Sequence, residues 1–233
     1  MTAAARADKS AVHSLLSDAS AASASIDALF AEAASSVRAI VSKDGKLSAG
    51  LIEREQHAAH GLSWLATYAE SIREMTHYAE RTLDEGRFGE TEELLTRVGL
   101  GEYLAQVFGG IPMSQGEMVR PEDFGLSAAQ IATRRTEAVE RLIATGNTRA
   151  NRARLADLID HAAASATVGD PGLDETMEAI RSEIRKFAES EVMPHAHEWH
   201  LKNEYIPLEV IKGLADLGVF GLTIPEEFGG MGL

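Results

Sequence analysis

Three features of the sequence predict an all-α fold. Apolar residues recur at three- and four-residue steps, Gly and Pro are gathered into a few short phrases, and the runs between those phrases are long enough for helices of several turns. From Asp8 to Ser42 an Ala-rich run sets Val12, Leu15, Leu16, Ala19, Ile26, Leu29, Phe30, Val37, Ile40 and Val41 on one helix, which KDGK ends. A second helix is expected from Ser48 for about 38 residues. Its stripe is Leu62, Leu65, Tyr68, Ile72, Met75, Ala79 and Leu83, with Gly86 as its C-cap. A third runs from Glu90 to Phe108 on Leu94, Leu95, Val98, Tyr103, Leu104 and Val107, and stops at Gly109-Gly110-Ile111-Pro112. GGIPMSQGEMVRPEDFGLS is then expected to be a long irregular connection. Ser127 caps a fourth helix, Ala128 to about Ala144, and TGN separates it from a fifth, Arg149 to about Ala166.

VGDPG marks the expected domain boundary, with residues 1–168 before it and 169–233 after it. Beyond it an amphipathic helix from Leu173 to about Met193 should turn Met177, Ile180, Ile184, Phe187 and Ala188 to a core, and Pro194 should stop it. Pro207 opens a last helix that carries Leu208, Ile211, Leu214 and Ala215 inward and ends at Gly218. VFGLTI reads as extended or irregular, and LTIPEEFGGMGL as a glycine-rich turn that leads on to a further element.

Composition excludes several functions. The 233 residues are 45% hydrophobic, enough for a core in one large or two modest domains. A formal net charge of -14 offers no clustered Lys and Arg for phosphates, so no nucleic-acid partner is expected. With no Cys there is no thiolate catalysis, no disulfide, no iron-sulfur ligation and no cysteine zinc site, and a cytoplasmic location fits. The first residues hold no continuous apolar signal core, and no window approaches the roughly 20 apolar residues of a spanning helix, so no membrane association is expected.

The phrases that could carry chemistry are weak. In MPHAHEWH, His195 and His197 are two residues apart and point about 200° apart on a helix, so only His197 and His200 could share a face. EMTH has the Glu74-x-x-His77 step of di-iron bundles, but the chain has no second copy of it. GLGEYL, from Gly99, lacks the third Gly and the preceding strand of a dinucleotide fingerprint. Glu117, Arg120, Glu122 and Asp123 are charged residues of a long loop, and the default reading is that they are solvated. No metal site, catalytic constellation or cofactor-binding residue emerges from the residues themselves.

A resemblance supplies what the residues do not. IRKFAESEVMPHAHEWHLKNEYIPLEVIKGLADLGVFGLTIPEEFGGMGL sets Pro194, Pro207, Gly218, Gly221, Pro225, Glu226, Glu227, Gly229, Gly230 and Gly232 in the order found at the start of acyl-CoA dehydrogenases. The resemblance covers Leu173 to Leu233, and GEYLAQVFGGIPMSQGEMVRPEDFGL resembles an N-terminal extension carried by one enzyme of that family. It implies about five extension helices followed by the family's N-terminal helical domain, cut before a β domain and a C-terminal helical bundle. It also implies FAD, an acyl-CoA substrate, an electron-transferring flavoprotein and a homo-oligomer. In the family a Glu carboxylate removes the α-proton while the β-hydride passes to the flavin. The resemblance places that Glu and the flavin-gripping strands beyond Leu233, so Glu204, Glu226 and Glu227 are not expected to be bases. Phe228, Gly229 and Gly230 are the residues it sets at the border of the acyl pocket, with a tight turn as the alternative. A rival reading is a stand-alone helical scaffold or interaction module without catalysis.

Overall fold

The computed structural model describes residues 9–161 and 168–233, which fall into two compact units, Met1–Gly172 and Leu173–Leu233. Among the described residues of the first, seven helices follow one another: α1 (Lys9–Ile40), α2 (Ala49–Arg54), α3 (Gln56–Asp84), α4 (Glu90–Gly109), α5 (Ala128–Arg134), α6 (Glu137–Thr145) and α7 (Arg149–His161). Two short antiparallel hairpins interrupt them, β1 (Ser42–Lys43) with β2 (Lys46–Leu47) and β3 (Ile111–Ser114) with β4 (Glu117–Val119). The all-α expectation holds.

Helix α1 shows why. Val12, Leu15, Ala19, Ala22, Ile26, Leu29 and Ala33 alternate steps of three and four and are all buried, so one narrow apolar seam runs the length of the helix. Small residues sit between large ones, which lets α3 lie close and answer with Ala58, Leu65, Ala69, Ile72 and Ala79. Helices α4 and α6 complete the bundle, with Leu100, Leu104, Val107, Val139 and Leu142 in the same core. Ala22 and Ala33 belong to this seam although the Ala/Ser background hides them in the sequence, whereas Ile40 is 42% exposed.

Several boundaries differ from expectation. The second helix is two, because Glu55 leaves helical geometry between α2 and α3. The fourth is also two: Arg135 breaks it, and the Thr136 hydroxyl accepts from the Val139 amide to start α6. Ser127 caps α5 as expected, its hydroxyl accepting from the Gln130 amide at 3.3 Å. The expected irregular connection instead pairs Ile111 with Val119 in a hairpin and then makes a 3₁₀ turn, Pro121–Phe124. Alternate residues Ile111 and Met113 face the core, a period of two too short to stand out. The fifth helix is seen to His161, and its expected continuation to Ala166 lies outside the described residues.

The fingerprint-like glycines are packing glycines. A Cβ on Gly101 would lie 2.6 Å from the Asn147 backbone nitrogen and 3.0 Å from Gly146 Cα, so α4 and the end of α6 approach backbone to backbone. Gly99 faces the Met75 sulfur.

The second unit is built differently. Helix α8 (Glu175–Phe187) does not stop at Pro194 but passes through a π turn, Ala188–Val192, into α9 (Met193–Lys202). The Met193 amide bonds to the Ala188 carbonyl, and Pro194 sits in the first turn of α9, where its missing N–H removes no helical bond. Asn203, left-handed at φ 55°, ends α9. Helix α10 (Leu208–Asp216) follows Pro207, and Gly218 has a positive φ just beyond its end. Helices α8 and α10 meet where a Cβ on Gly213 would lie 2.6 Å from the Phe187 ring. No residue of α8, α9 or α10 is buried: the expected core positions Met177, Ile180, Ile184 and Phe187 are only partly covered.

Adding a methyl at the α4 crossing should overpack it. Gly101→Ala is expected to cost about 1–3 kcal/mol in urea unfolding followed by circular dichroism. Gly50→Ala, on open surface in α2, should instead be neutral or stabilise by about 0.5–1 kcal/mol.

Candidate functional site

The glycine-rich phrase of the second unit folds back on itself rather than trailing open. Pro225 starts a 3₁₀ turn, Glu226–Phe228, and Gly229 reverses the chain in the left-handed region at φ 84°. Gly230 then runs beneath Ile224, whose carbonyl oxygen would lie 2.0 Å from any Cβ placed there. Three backbone bonds tie the phrase to the preceding turn: Met231 to Gly221 at 2.9 Å, Gly232 to Ile224 at 2.9 Å and Leu233 to Leu222 at 2.8 Å, each amide donating to the carbonyl. The Phe228 side chain is held outward and is 75% exposed, beside Glu226 and Glu227, which are exposed as well. Phe228, Gly229 and Gly230 thus form a hydrogen-bonded knuckle that presents one aromatic ring.

The other sequence candidates are dispersed. His195, His197 and His200 are all exposed, with His195 against the Trp199 ring at 5.7 Å between centroids. Glu74 and His77 lie 3.6 Å apart on the solvent face of α3. Asp123 accepts from the Arg120 amide at 2.7 Å and lies 3.4 Å from His57, while Glu117 accepts from Ser114. These loop charges finish a hairpin and a turn. Among the described residues no group of three or more His, Asp or Glu is placed to hold a metal, and no helix is long and apolar enough to cross a membrane.

Two partly buried polar networks were not legible beforehand. Tyr68 stacks on Tyr103 and donates to Gln106, which donates to Glu102, whose other oxygen accepts from Asn147. The second joins Glu92, Tyr78, Arg87 and Asp170. Burial raises the Tyr78 phenol to about 12, and the Glu92 and Asp170 carboxylates add to the shift against the opposing pull of Arg87 and Arg81. In the second network only Arg87 and Asp170 join side chain to side chain, whereas Tyr78 and Glu92 bond to the Asp170 backbone carbonyl and amide.

Two surface grooves lie on the described residues of the first unit. One, of about 540 Å³, lies along α3 over Ala66, Thr67, Glu70, Ser71 and Glu74. The other, of about 220 Å³, lies between α1 and α3 and includes Asp27, Glu80, Arg73 and His77. Carboxylates line both, and Arg73 already pairs with Asp27 at 2.7 Å. Such walls repel a pyrophosphate, so the residues of these grooves do not fit FAD.

Residues 174–233 match the family model for the acyl-CoA dehydrogenase N-terminal domain. This segment belongs to the acyl-CoA dehydrogenase family. Over almost its whole length the chain is similar to (2S)-methylsuccinyl-CoA dehydrogenase of Cereibacter sphaeroides, with 52% identity over 219 residues, 94% of this chain and 39% of that protein. Glutaryl-CoA dehydrogenase of Desulfococcus multivorans is 33% identical over 64 residues, 28% of this chain and 16% of that protein. Mitochondrial isovaleryl-CoA dehydrogenase of Bos taurus is 40% identical over 63 residues, 27% of this chain and 15% of that protein. The chain therefore spans well under half the length of the relatives it matches.

The Tyr78 reading has a pH signature. A phenol whose folded pKa is raised from 10 to about 12 contributes stability that is complete below pH 10 and is lost as pH rises toward 12. Absorbance near 295 nm should show one tyrosine titrating near pH 12 in the folded chain. Tyr78→Phe should remove that component and flatten the fall in stability above pH 10.

Proposed function

We propose that this chain is the N-terminal part of an FAD-dependent acyl-CoA dehydrogenase that oxidises (2S)-methylsuccinyl-CoA to mesaconyl-CoA. In this reading residues 1–168 are a helical extension and residues 169–233 begin the family's N-terminal helical domain. The flavin and the catalytic carboxylate belong to parts of the enzyme outside these residues, and the chain alone is inactive. The intact protein is a cytoplasmic homo-oligomer that passes electrons to an electron-transferring flavoprotein.

One observation carries the choice of substrate. The glutaryl- and isovaleryl-CoA dehydrogenases align with about a quarter of the chain, whereas the methylsuccinyl-CoA enzyme of Cereibacter sphaeroides aligns with 94% of it, the helical bundle included. The second unit supports the same reading physically. Leu201, Leu208, Phe220 and Phe228 are 61–76% exposed. Apolar side chains left at the surface in this number are the mark of a domain that packs against more protein. The first unit has its own core and serves as a scaffold. Phe228 and the Gly229-Gly230 knuckle border the acyl pocket and contribute shape and exclusion of water, not proton transfer.

Translation of the native gene beyond Leu233 decides between this reading and the stand-alone module. Further β-rich and helical sequence is expected, and a stop codon there would overturn the reading. The full-length enzyme should bind FAD and turn over methylsuccinyl-CoA, whereas the 233-residue chain mixed with FAD should stay colourless; a stoichiometric yellow complex would show the flavin site to be misplaced. In the full-length enzyme Phe228→Ala is expected to raise KM for the acyl-CoA by about tenfold, equivalent to roughly 1.4 kcal/mol, with FAD content unchanged. An unchanged KM would reduce Phe228 to a turn residue.

A further inference from the structure

The five residues that close the first unit are not a free tether. Val168–Gly172 lies along the first turn of α4 and the last turns of α3, and its polar groups are taken up by the bundle. The Asp170 amide donates to Glu92 Oε1 at 2.8 Å, and the Asp170 carbonyl accepts from the Tyr78 hydroxyl at 2.6 Å. The Asp170 carboxylate pairs with Arg87 and also accepts from the Gly172 amide at 2.8 Å. The Gly172 carbonyl accepts from Arg81 at 3.2 Å. Gly172 is pressed so closely that a Cβ would lie 2.9 Å from the Tyr78 ring.

Glu92 is the centre of this arrangement. Only 7% of it is exposed, and its second oxygen, Oε2, accepts from the Gly89 amide at 2.8 Å. One buried carboxylate therefore satisfies an amide at the start of α4 and an amide of the connecting segment together. A carboxylate buried so deeply needs such partners, since without them its desolvation would be uncompensated. The segment cannot lift away without leaving one Glu92 oxygen and the Tyr78 hydroxyl without the partners they have in the docked state, and Arg87 with Glu85 alone.

We infer that Val168–Gly172 is a strap latched by Glu92, so that the chain leaves the helical bundle at one fixed place and opening of the strap is felt at the N-terminus of α4. This inference concerns the first unit alone and does not depend on the substrate assignment.

Amide hydrogen exchange on the 233-residue chain tests it. The Asp170 amide should exchange at least about tenfold more slowly than in an unstructured peptide, a protection that a flexible linker lacks. Glu92→Ala should release both the Asp170 and the Gly89 amides. Asp170→Ala leaves the α4 cap and the acceptor of the residue 170 amide untouched, so it should open the strap, seen as faster exchange of that amide, while Gly89 stays protected and the bundle stays folded by circular dichroism. Unprotected exchange at Asp170 in the unaltered chain, or an unchanged rate of the residue 170 amide in Asp170→Ala, would overturn the inference.

Discussion

Helix α1 lies on α3 through a seam in which alanines separate larger side chains, and the rest of the first unit is arranged around that contact. Ala19, Ala22 and Ala33 are fully buried, so the two backbones come close enough for Leu15, Ile26 and Leu29 to fill the space on either side. Full burial of each such large side chain contributes about 1.5–3 kcal/mol, far more than the ion pairs at the rim. Arg73 with Asp27, Arg134 with Glu32 and Arg141 with Asp18 join three other helices to α1 through partly exposed pairs. Pairs of that kind stabilise by at most about 1 kcal/mol and mainly select register and orientation.

The second unit shows what happens when the same helical chemistry lacks an opposing face. α8 and α9 form one rod through the π turn, and α10 touches it at Phe187 and Gly213, yet none of the three helices has a buried residue. Its amphipathic stripes are written for a core that these residues do not themselves complete. The first unit, by contrast, buries a continuous core of its own. Within the proposed enzyme, these traits suit a permanent scaffold.

Much of the architecture was legible because helix periodicity is a local signal. The α1 and α4 ranges, the Ser127 cap and the Pro207 start all rest on residues a few positions apart. The breaks at Glu55 and Arg135 were not legible, since no Gly or Pro marks them. The β3–β4 hairpin was missed because a strand of three or four residues gives too few alternations to be counted, and it becomes a strand only by laying Ile111 and Val119 on the core. Pro194 misled for a reason of register: a proline ends a regular helix, but one widened turn lets another helix begin on it. In the candidate site, the positions of Phe228, Gly229 and Gly230 came from a motif, while their closure into a knuckle came from bonds to Gly221, Leu222 and Ile224.

By itself the sequence determined the helical class, the exclusion of cysteine chemistry, and the family signature in its last sixty residues. Each depends on composition or on residues near one another in the chain. Tertiary structure alone decided that Gly101 is a crossing point, that Glu92 is buried, and that Asp170 is held by Tyr78 and Arg87. Those facts join residues some 45 to 92 positions apart. A carboxylate in a first helical turn looks like any exposed cap until the fold brings a distant amide to its second oxygen.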